Sequence, residues 1–375
     1  MTSPLSDMLE NAEWGKFRIG DLFEKIQTIK LPFKADELPK QKTEEYTLPC
    51  LTSSFRNQGL NYFVPRKEAT ILKNVISIPS NSDVYRAYFQ SNEFTVLSDA
   101  YAIKWNFNDI DLSPNQYLFV VQCINKVTDL SIYSYKNKLG GWNVVKNKKI
   151  HLPVKNRKID FDFMENFIAT LESERIKKLD TYLSITGLDN CILTLEEQKV
   201  LDDFDNGNID WGEFNLEKLF GKATRGKRLK SADRIEGSLP FVTAGEAEEG
   251  VSAFIGNAVT VFSSNTTTID MFGSAKYRNY EYGGDDHVAV VHTEKLPKHA
   301  AIFVTASIHK SSYTGKFDYG RNFYAKDADE LNISLPQKNN KPNYYLMTIL
   351  LSAIHKLVVK DVIGYIEKKH YKSGI

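Results

Sequence analysis

At 375 residues, 42% hydrophobic and 25% charged, the chain is sized for two ordinary globular domains and excludes a disordered tail. Its formal net charge of +1 excludes a uniformly basic surface, so any contact with a polyanion must come from segregated charge. The 19 Tyr and 22 Phe suit a β-rich core and also surfaces that stack on bases or partners.

In chain order, the first motif is Trp14-Gly15-Lys16-Phe17 with Leu22-Phe23-Glu24-Lys25, followed by Leu48-Pro49 and Thr52. Short apolar runs at Val75–Ile78, Thr95–Leu97, Tyr101–Trp105 and Tyr117–Val121, divided by Gly, Asn, Ser and Pro, predict strands. From Leu130 to Ile159 there are eight Lys/Arg and no Asp or Glu, and Ile150-His151-Leu152-Pro153 lies inside this stretch. Met164, Phe167, Ile168, Leu171, Ile176, Leu179 and Leu183 then fall at three- and four-residue steps. That spacing predicts a helix of roughly 25 residues and about 40 Å. Ser184 to Asn208 reads as a linker, with a short helix from Leu195 to Phe204 and a turn at Asn206-Gly207-Asn208. An acidic stretch holding Asp202, Asp203, Asp205, Asp210, Glu213 and Glu217 begins within it.

The same signals then return in the same order, which predicts an internal repeat. Trp211-Gly212-Glu213-Phe214 with Leu219-Phe220-Gly221-Lys222 repeats the opening motif, six of twelve positions being identical between 14–25 and 211–222. Leu239-Pro240 and Thr243 match Leu48-Pro49 and Thr52. Asn257–Val261 aligns with Asn74–Ile78, and Asp286–Val290 with Asp99–Ile103. Ile333-Ser334-Leu335-Pro336 closes the copy. Val259–Phe262, Val288–Val291 and Ala301–Val304 are its predicted strands. Lys222 to Lys230 is its basic run, five residues of nine. After Pro342, residues Leu346, Ile349, Leu350, Ala353, Leu357, Val358, Val362 and Ile366 predict a second long helix. The reading is a mixed α/β chain: two β-rich domains in an internal repeat, joined by two long antiparallel helices. The expected boundaries are 13–155 and 209–338 for the domains, 156–208 for the central helix and linker, and 339–375 for the second helix.

Catalytic chemistry is not visible. There is no Asn/Asp-Pro-Pro-Tyr/Phe motif, no glycine-rich loop suited to S-adenosylmethionine and no P-loop. Asp285-Asp286 lacks the partnering residues of a nuclease site, and neither the seven His nor Cys50, Cys123 and Cys191 have metal-ligand spacing. No metal and no catalytic residue is expected. With no signal peptide and no uncharged apolar span, the expected location is the cytoplasm.

The order Trp-Gly-x-Phe, Leu-Phe, Leu-Pro-x-x-Thr, a buried strand, an Asp before a second strand, then Ile-x-Leu-Pro and a long helix resembles the specificity subunit of type I restriction-modification systems. It also resembles the related specificity subunit of some type II systems. The likeness covers nearly the whole chain. It implies two target recognition domains, each reading half of a split double-stranded DNA site, held apart by an antiparallel coiled coil. It also implies partner methyltransferase subunits acting on adenine, two per chain, docked on the helices through Phe167, Leu171, Leu179, Leu350 and Leu357. S-adenosylmethionine is expected on those partners, and a motor-nuclease subunit can join them. The alternatives from other classes are a non-catalytic repeat scaffold and a stand-alone DNA-binding regulator.

For a DNA reader, the phosphate-contact candidates are Lys136, Lys138, Lys146 and Lys148 in the first copy, and Lys222, Arg225, Lys227, Arg228 and Lys230 in the second. Base-reading candidates lie after the third echo. They are Ser80, Asn81, Ser82, Tyr85 and Arg86 in one copy and Ser264, Asn265, Thr266, Lys276, Tyr277 and Arg278 in the other, with Arg321 beside Gly320. Arg86 and Arg278 lead because arginine bidentate to guanine is the commonest specific contact.

Overall fold

The computed structural model describes residues 4–67, 69–97 and 99–373, with side chains as far as residue 369. The chain forms two compact units, Met1–Leu179 and Asp180–Ile375.

In unit 1 the elements run α1 (Pro4–Glu10), β1 (Glu13–Arg18), α2 (Ile19–Leu22), β2 (Phe23–Lys25), β3 (Tyr46–Leu51), β4 (Leu60–Pro65), β5 (Val75–Pro79), β6 (Tyr88–Gln90), β7 (Thr95–Val96) and β8 (Ala100–Trp105). Then come α3 (Pro114–Thr128), α4 (Trp142–Val145), β9 (Lys149–Lys155), β10 (Lys158–Ile159) and α5 (Phe161–Thr186). The first and last motifs of the copy are one ladder: β1 pairs antiparallel with β9, Trp14 opposite Pro153. A four-stranded sheet has the order β2-β8-β5-β6 and a three-stranded sheet the order β4-β3-β7, in which β3 and β7 are parallel. Every residue of β5 is buried, Ser77 among them, whose hydroxyl accepts from Gln90 Nε2 (3.1 Å). Helix α3 lies against β5, β6 and β9. The core joins Ile19, Ile76, Ile78, Ile103, Val120, Ile124, Ile150 and Leu152 to Met164 of α5, with Phe167 packed on it.

Unit 2 runs α6 (Leu195–Asp205), β11 (Trp211–Asn215), α7 (Leu216–Phe220), β12 (Thr224–Arg225), β13 (Glu236–Val242), β14 (Val251–Ile255), β15 (Val261–Phe262), β16 (Thr266–Asp270), β17 (Ala275–Arg278), β18 (Tyr282–Gly284) and β19 (Val288–Val291). It ends with α8 (Lys298–Ser312), α9 (Ala325–Glu330), β20 (Asn332–Lys338), β21 (Lys341–Pro342) and α10 (Tyr344–Ser373). Its pairings follow the order of unit 1. β11 pairs β20 with Trp211 opposite Pro336. One sheet runs β12-β19-β16-β17, and in the other β13 is antiparallel to β14 and parallel to β18. The linker helix α6 docks on α10: Glu197, 4% exposed, accepts from Ser352 Oγ (2.7 Å) and Lys356 Nζ (2.8 Å).

Three expectations differ from the structure. Tyr117–Val121 and Ala301–Val304 are not strands but the middles of α3 and α8. Pro114 sits in the first turn of α3, and Ser113 and Gln116 cap it reciprocally, at 3.1 and 3.0 Å. A four- or five-residue apolar run suits a buried helix as well as a strand. The third echo is also misplaced. The strand equivalent to Val75–Pro79 by its pairing with β8 and β6 is Thr266–Asp270, not Asn257–Val261. That strand reads as a polar loop, yet all five residues are buried because each threonine hydroxyl finds a partner. Thr266 meets the Tyr282 hydroxyl (3.0 Å), Thr267 meets Thr305 (2.6 Å), and Thr268 accepts from Arg278 Nε (3.0 Å).

Candidate nucleic-acid interface

The strongest cationic feature of unit 2 is the segment between α7 and β13. Helix α7 ends at Gly221, whose φ of +78° turns the chain sharply, and the two-residue edge strand β12 follows. Gly226 then lies flat against the β18 backbone. A Cβ there would stand 1.6 Å from the Gly284 carbonyl oxygen, so only glycine fits. Past it, Leu229 N donates to Asp285 Oδ1 (3.2 Å), and Arg234 donates to Leu229 O and Ser252 Oγ while its guanidinium lies 5.2 Å from the Phe241 ring centre. The backbone is therefore braced, while Lys222, Arg225, Lys227, Arg228 and Lys230 are exposed. None of the five enters an ion pair among the described residues. Held cations without internal counter-ions are suited to phosphates.

This bracing also accounts for the acidic pair. Asp285, Asp286 and His287 can bring one ligand atom each within 4.8 Å of one another. Asp285 is occupied by Leu229 N, and Asp286 Oδ1 lies 2.8 Å from His287 Nδ1.

Unit 1 distributes its cations differently. Lys136 and Lys138 are exposed. Lys146 lines a cleft of about 770 Å³ together with Arg18, Lys25, Gln27, Trp142 and Asn143. Arg18 is held by Asp21 (2.7 Å) and Asn147 (3.2 Å), leaving Lys25, 5.8 Å over the Tyr101 ring, and Lys146 as its freer charges. Lys25 was legible only as the last residue of the opening motif. Lys148 is tied to Tyr133, 2.9 Å from its hydroxyl and 5.2 Å from its ring centre.

The base-reading candidates are mostly drawn inward. Arg278, 1% exposed, donates to Thr268 Oγ1 (3.0 Å), the Tyr280 hydroxyl (3.1 Å) and Glu249 O (2.8 Å). A guanidinium so placed does not reach a base from the folded surface. Its burial corrects the expectation, because the strand register points it under the sheet. Thr266 is buried in β16, and Asn265 holds a left-handed turn (φ +61°) while donating to Leu296 O (2.8 Å). Tyr277 donates to Asn265 Oδ1 (2.9 Å), and Lys276 is enclosed by Ser274, Glu246 and Asp270. Only Ser264 of this group is exposed. In unit 1, Tyr85 is 1% and Ser82 3% exposed, Ser80 and Asn81 are half-buried, and Arg86 is exposed but paired with Asp129 at 2.6 Å. Arg321 is exposed, 5.4 Å over Phe317. Of the partner-surface candidates, Phe167 is half-buried against Phe119 (5.5 Å), and Leu350 is fully buried and presents no surface. Leu171 is half-buried, and Leu179 and Leu357 are exposed.

One feature found in both units carried no sequence signal beyond a glycine. Between β3 and β4, Asn57, Gln58 and Gly59 have φ of +47°, +53° and +86°. Between β13 and β14, Glu248, Glu249 and Gly250 have +46°, +56° and +84°. The carbonyl of the middle residue accepts from a buried side chain in each case, Gln90 Nε2 to Gln58 O (3.3 Å) and Arg278 Nη2 to Glu249 O (2.8 Å).

The family described as the type I restriction modification DNA specificity domain matches residues 11–181. Over 356 residues, 92% of this chain and 96% of the relative, the chain is 24% identical to the specificity subunit S.BcgI of the type II restriction enzyme BgcI from Heyndrickxia coagulans. Among solved structures it is similar to the S subunit of a type I restriction-modification system from M. genitalium. That likeness has a TM-score of 0.62 and 16% identity over 96% of this chain and 93% of that one, a likeness of fold. Residues 11–181 thus match the type I restriction modification DNA specificity domain, and along most of its length the chain is similar to a specificity subunit of a restriction-modification system.

Proposed function

We propose that the chain is the DNA sequence-specificity subunit of a restriction-modification complex and is itself non-catalytic. The observation that carries this beyond the likeness to known proteins is the braced cationic segment Arg225–Lys230, whose four cations face solvent without counter-ions among the described residues. In this reading each unit reads one half of a bipartite DNA site. The units share strand pairings but differ in exposed side chains, so the two half-sites differ and the target is asymmetric. Helices α5, 26 residues, and α10, 30 residues, act as the antiparallel spacer. Each spans about 40 Å or slightly more, the order of one DNA turn of about 34 Å. Methylation of adenine belongs to partner methyltransferase subunits, two per chain, which carry the S-adenosylmethionine, and a motor-nuclease subunit completes a restricting complex. None of the described helices is long and apolar enough to cross a membrane, and the cytoplasm is the proposed site of action.

The test is co-expression with the methyltransferase subunit of its system in a host lacking DNA methylation, followed by genome-wide mapping of modified adenines. A two-part motif with a fixed gap is expected. Association without a motif, or failure to associate, would refute the reading and favour a scaffold.

A further inference from the structure

Resting on the DNA-specificity reading above, we propose that Arg56 is the principal base-reading side chain of unit 1, with guanine as its target, and that Gln90 is the residue that positions it. Arg56 is exposed on the left-handed turn that follows β3, between Phe55, 51% exposed, and Asn57. Its guanidinium enters no ion pair among the described residues, unlike that of Arg86.

The turn is costly and held. Asn57 and Gln58 both hold positive φ, a conformation that costs energy for residues with a Cβ. Here Gln90, 5% exposed, is anchored on Ser77 Oγ (3.1 Å) and donates to the Gln58 carbonyl from beneath. The Tyr88 hydroxyl also donates to Phe55 O (3.3 Å), and Asn57 Nδ2 donates to Leu60 O (2.6 Å). The tip is therefore fixed before any ligand arrives, as a specificity contact requires.

Its surroundings offer partners for a base edge. Arg56 stands on a cleft of about 710 Å³ lined also by Lys40, Asn61, Tyr62, Asp83 and Asp99. The two carboxylates offset Lys40 and can accept from the amino groups of cytosine and adenine, while a planar guanidinium matches guanine O6 and N7. Phe55 offers an apolar face to a thymine methyl or a neighbouring base. In unit 2 the equivalent turn carries Glu246, Ala247 and Glu248, so no guanine contact of this kind is expected from it.

The experiment is motif mapping with the full complex carrying wild-type chain, Arg56→Ala, Gln90→Leu, or Lys227→Ala with Arg228→Ala as a control. Arg56→Ala is expected to lower discrimination at one guanine of one half-site by roughly 5- to 150-fold, leaving the other half-site as it was. Gln90→Leu is expected to relax the same position, with unchanged salt dependence of binding. A merely structural role would lower the melting temperature without altering the motif. An Arg56→Ala motif identical to that of the wild type would overturn this proposal while leaving the specificity function standing. A wild-type complex that methylates no motif would overturn both.

Discussion

Replacing Arg278 by alanine distinguishes a base reader from a buried brace. The side chain is 1% exposed and makes three hydrogen bonds, all to neutral acceptors. Its removal takes the donor from the Glu249 carbonyl and the Tyr280 hydroxyl, leaves the Thr268 hydroxyl with only its bond to Lys276 O, and opens a void beneath the turn. Unpaired buried acceptors cost about 1–3 kcal/mol, and truncation of a long buried side chain about 2–5 kcal/mol. Release of a buried charge from neutral surroundings offsets several kcal/mol of this sum. The expected net loss is about 2–4 kcal/mol, which for a unit of this size lowers the melting temperature by roughly 6–12 °C. Arg278→Gln should lose less, because the glutamine at the equivalent place in unit 1 makes the same two contacts to turn and strand. Differential scanning calorimetry of the full chain, with motif mapping of the complex, provides both readouts. A variant that melted within about 1 °C of the wild type yet changed preference at a single base would refute the argument and restore Arg278 as a reader.

Further outcomes follow from the same geometry. Substituting both Lys227 and Arg228 with alanine should weaken binding to every sequence alike and reduce the slope of log K against log salt by about 1.8, if each contacts one phosphate; an unchanged slope would remove them from the interface. Gly226→Ala must displace the β18 backbone, and is expected to cost about 1–3 kcal/mol while shifting the cationic segment, seen as a lower melting temperature and weaker non-specific DNA binding together. Burial chiefly, then neighbouring positive charge, lowers the pKa of His299 and His355, which pack at 5.0 Å. The unfolded chain therefore binds more protons below about 6.5, so their stabilising effect is complete above that pH and declines as pH falls. For Glu197, burial works upward but hydrogen bonds from Lys356, Thr194 and Ser352 prevail and hold it at about 2. Its contribution is complete above the ordinary carboxylate range and is lost as pH falls towards 2. Urea titrations should thus show falling stability below pH 6.5 and a second fall below about 4.5; a flat profile between 7.5 and 5.5 would contradict the histidine argument.

The frame was legible because its signals are local and repeated. Trp-Gly-x-Phe and Ile-x-Leu-Pro in each half turn out to be the two strands of one ladder, Trp14 opposite Pro153 and Trp211 opposite Pro336. The linker helix was legible from its spacing, and Thr194 with Glu197 caps it reciprocally, at 3.1 and 2.7 Å. The candidate site was less legible. The runs at Lys136–Lys148 and Lys222–Lys230 showed their charge in sequence, but which charges stand free depended on Tyr133, Asp21 and Gly284, distant in the chain or invisible to a reading of charge alone.

Sequence by itself determined the ladder motifs at the two ends of each half, the long helices and the segregation of basic charge, since these rest on periodicity and on residues close along the chain. Tertiary structure alone decided which polar residues face inward. Thr266–Thr268 and Arg278 look like a surface loop until β16 is placed between β19 and β17, where cross-strand hydroxyls, a hydrogen-bonded guanidinium and a captured carbonyl satisfy one another. Burial of a polar group depends on whether a partner waits at the right place in space, and that partner comes from register and packing.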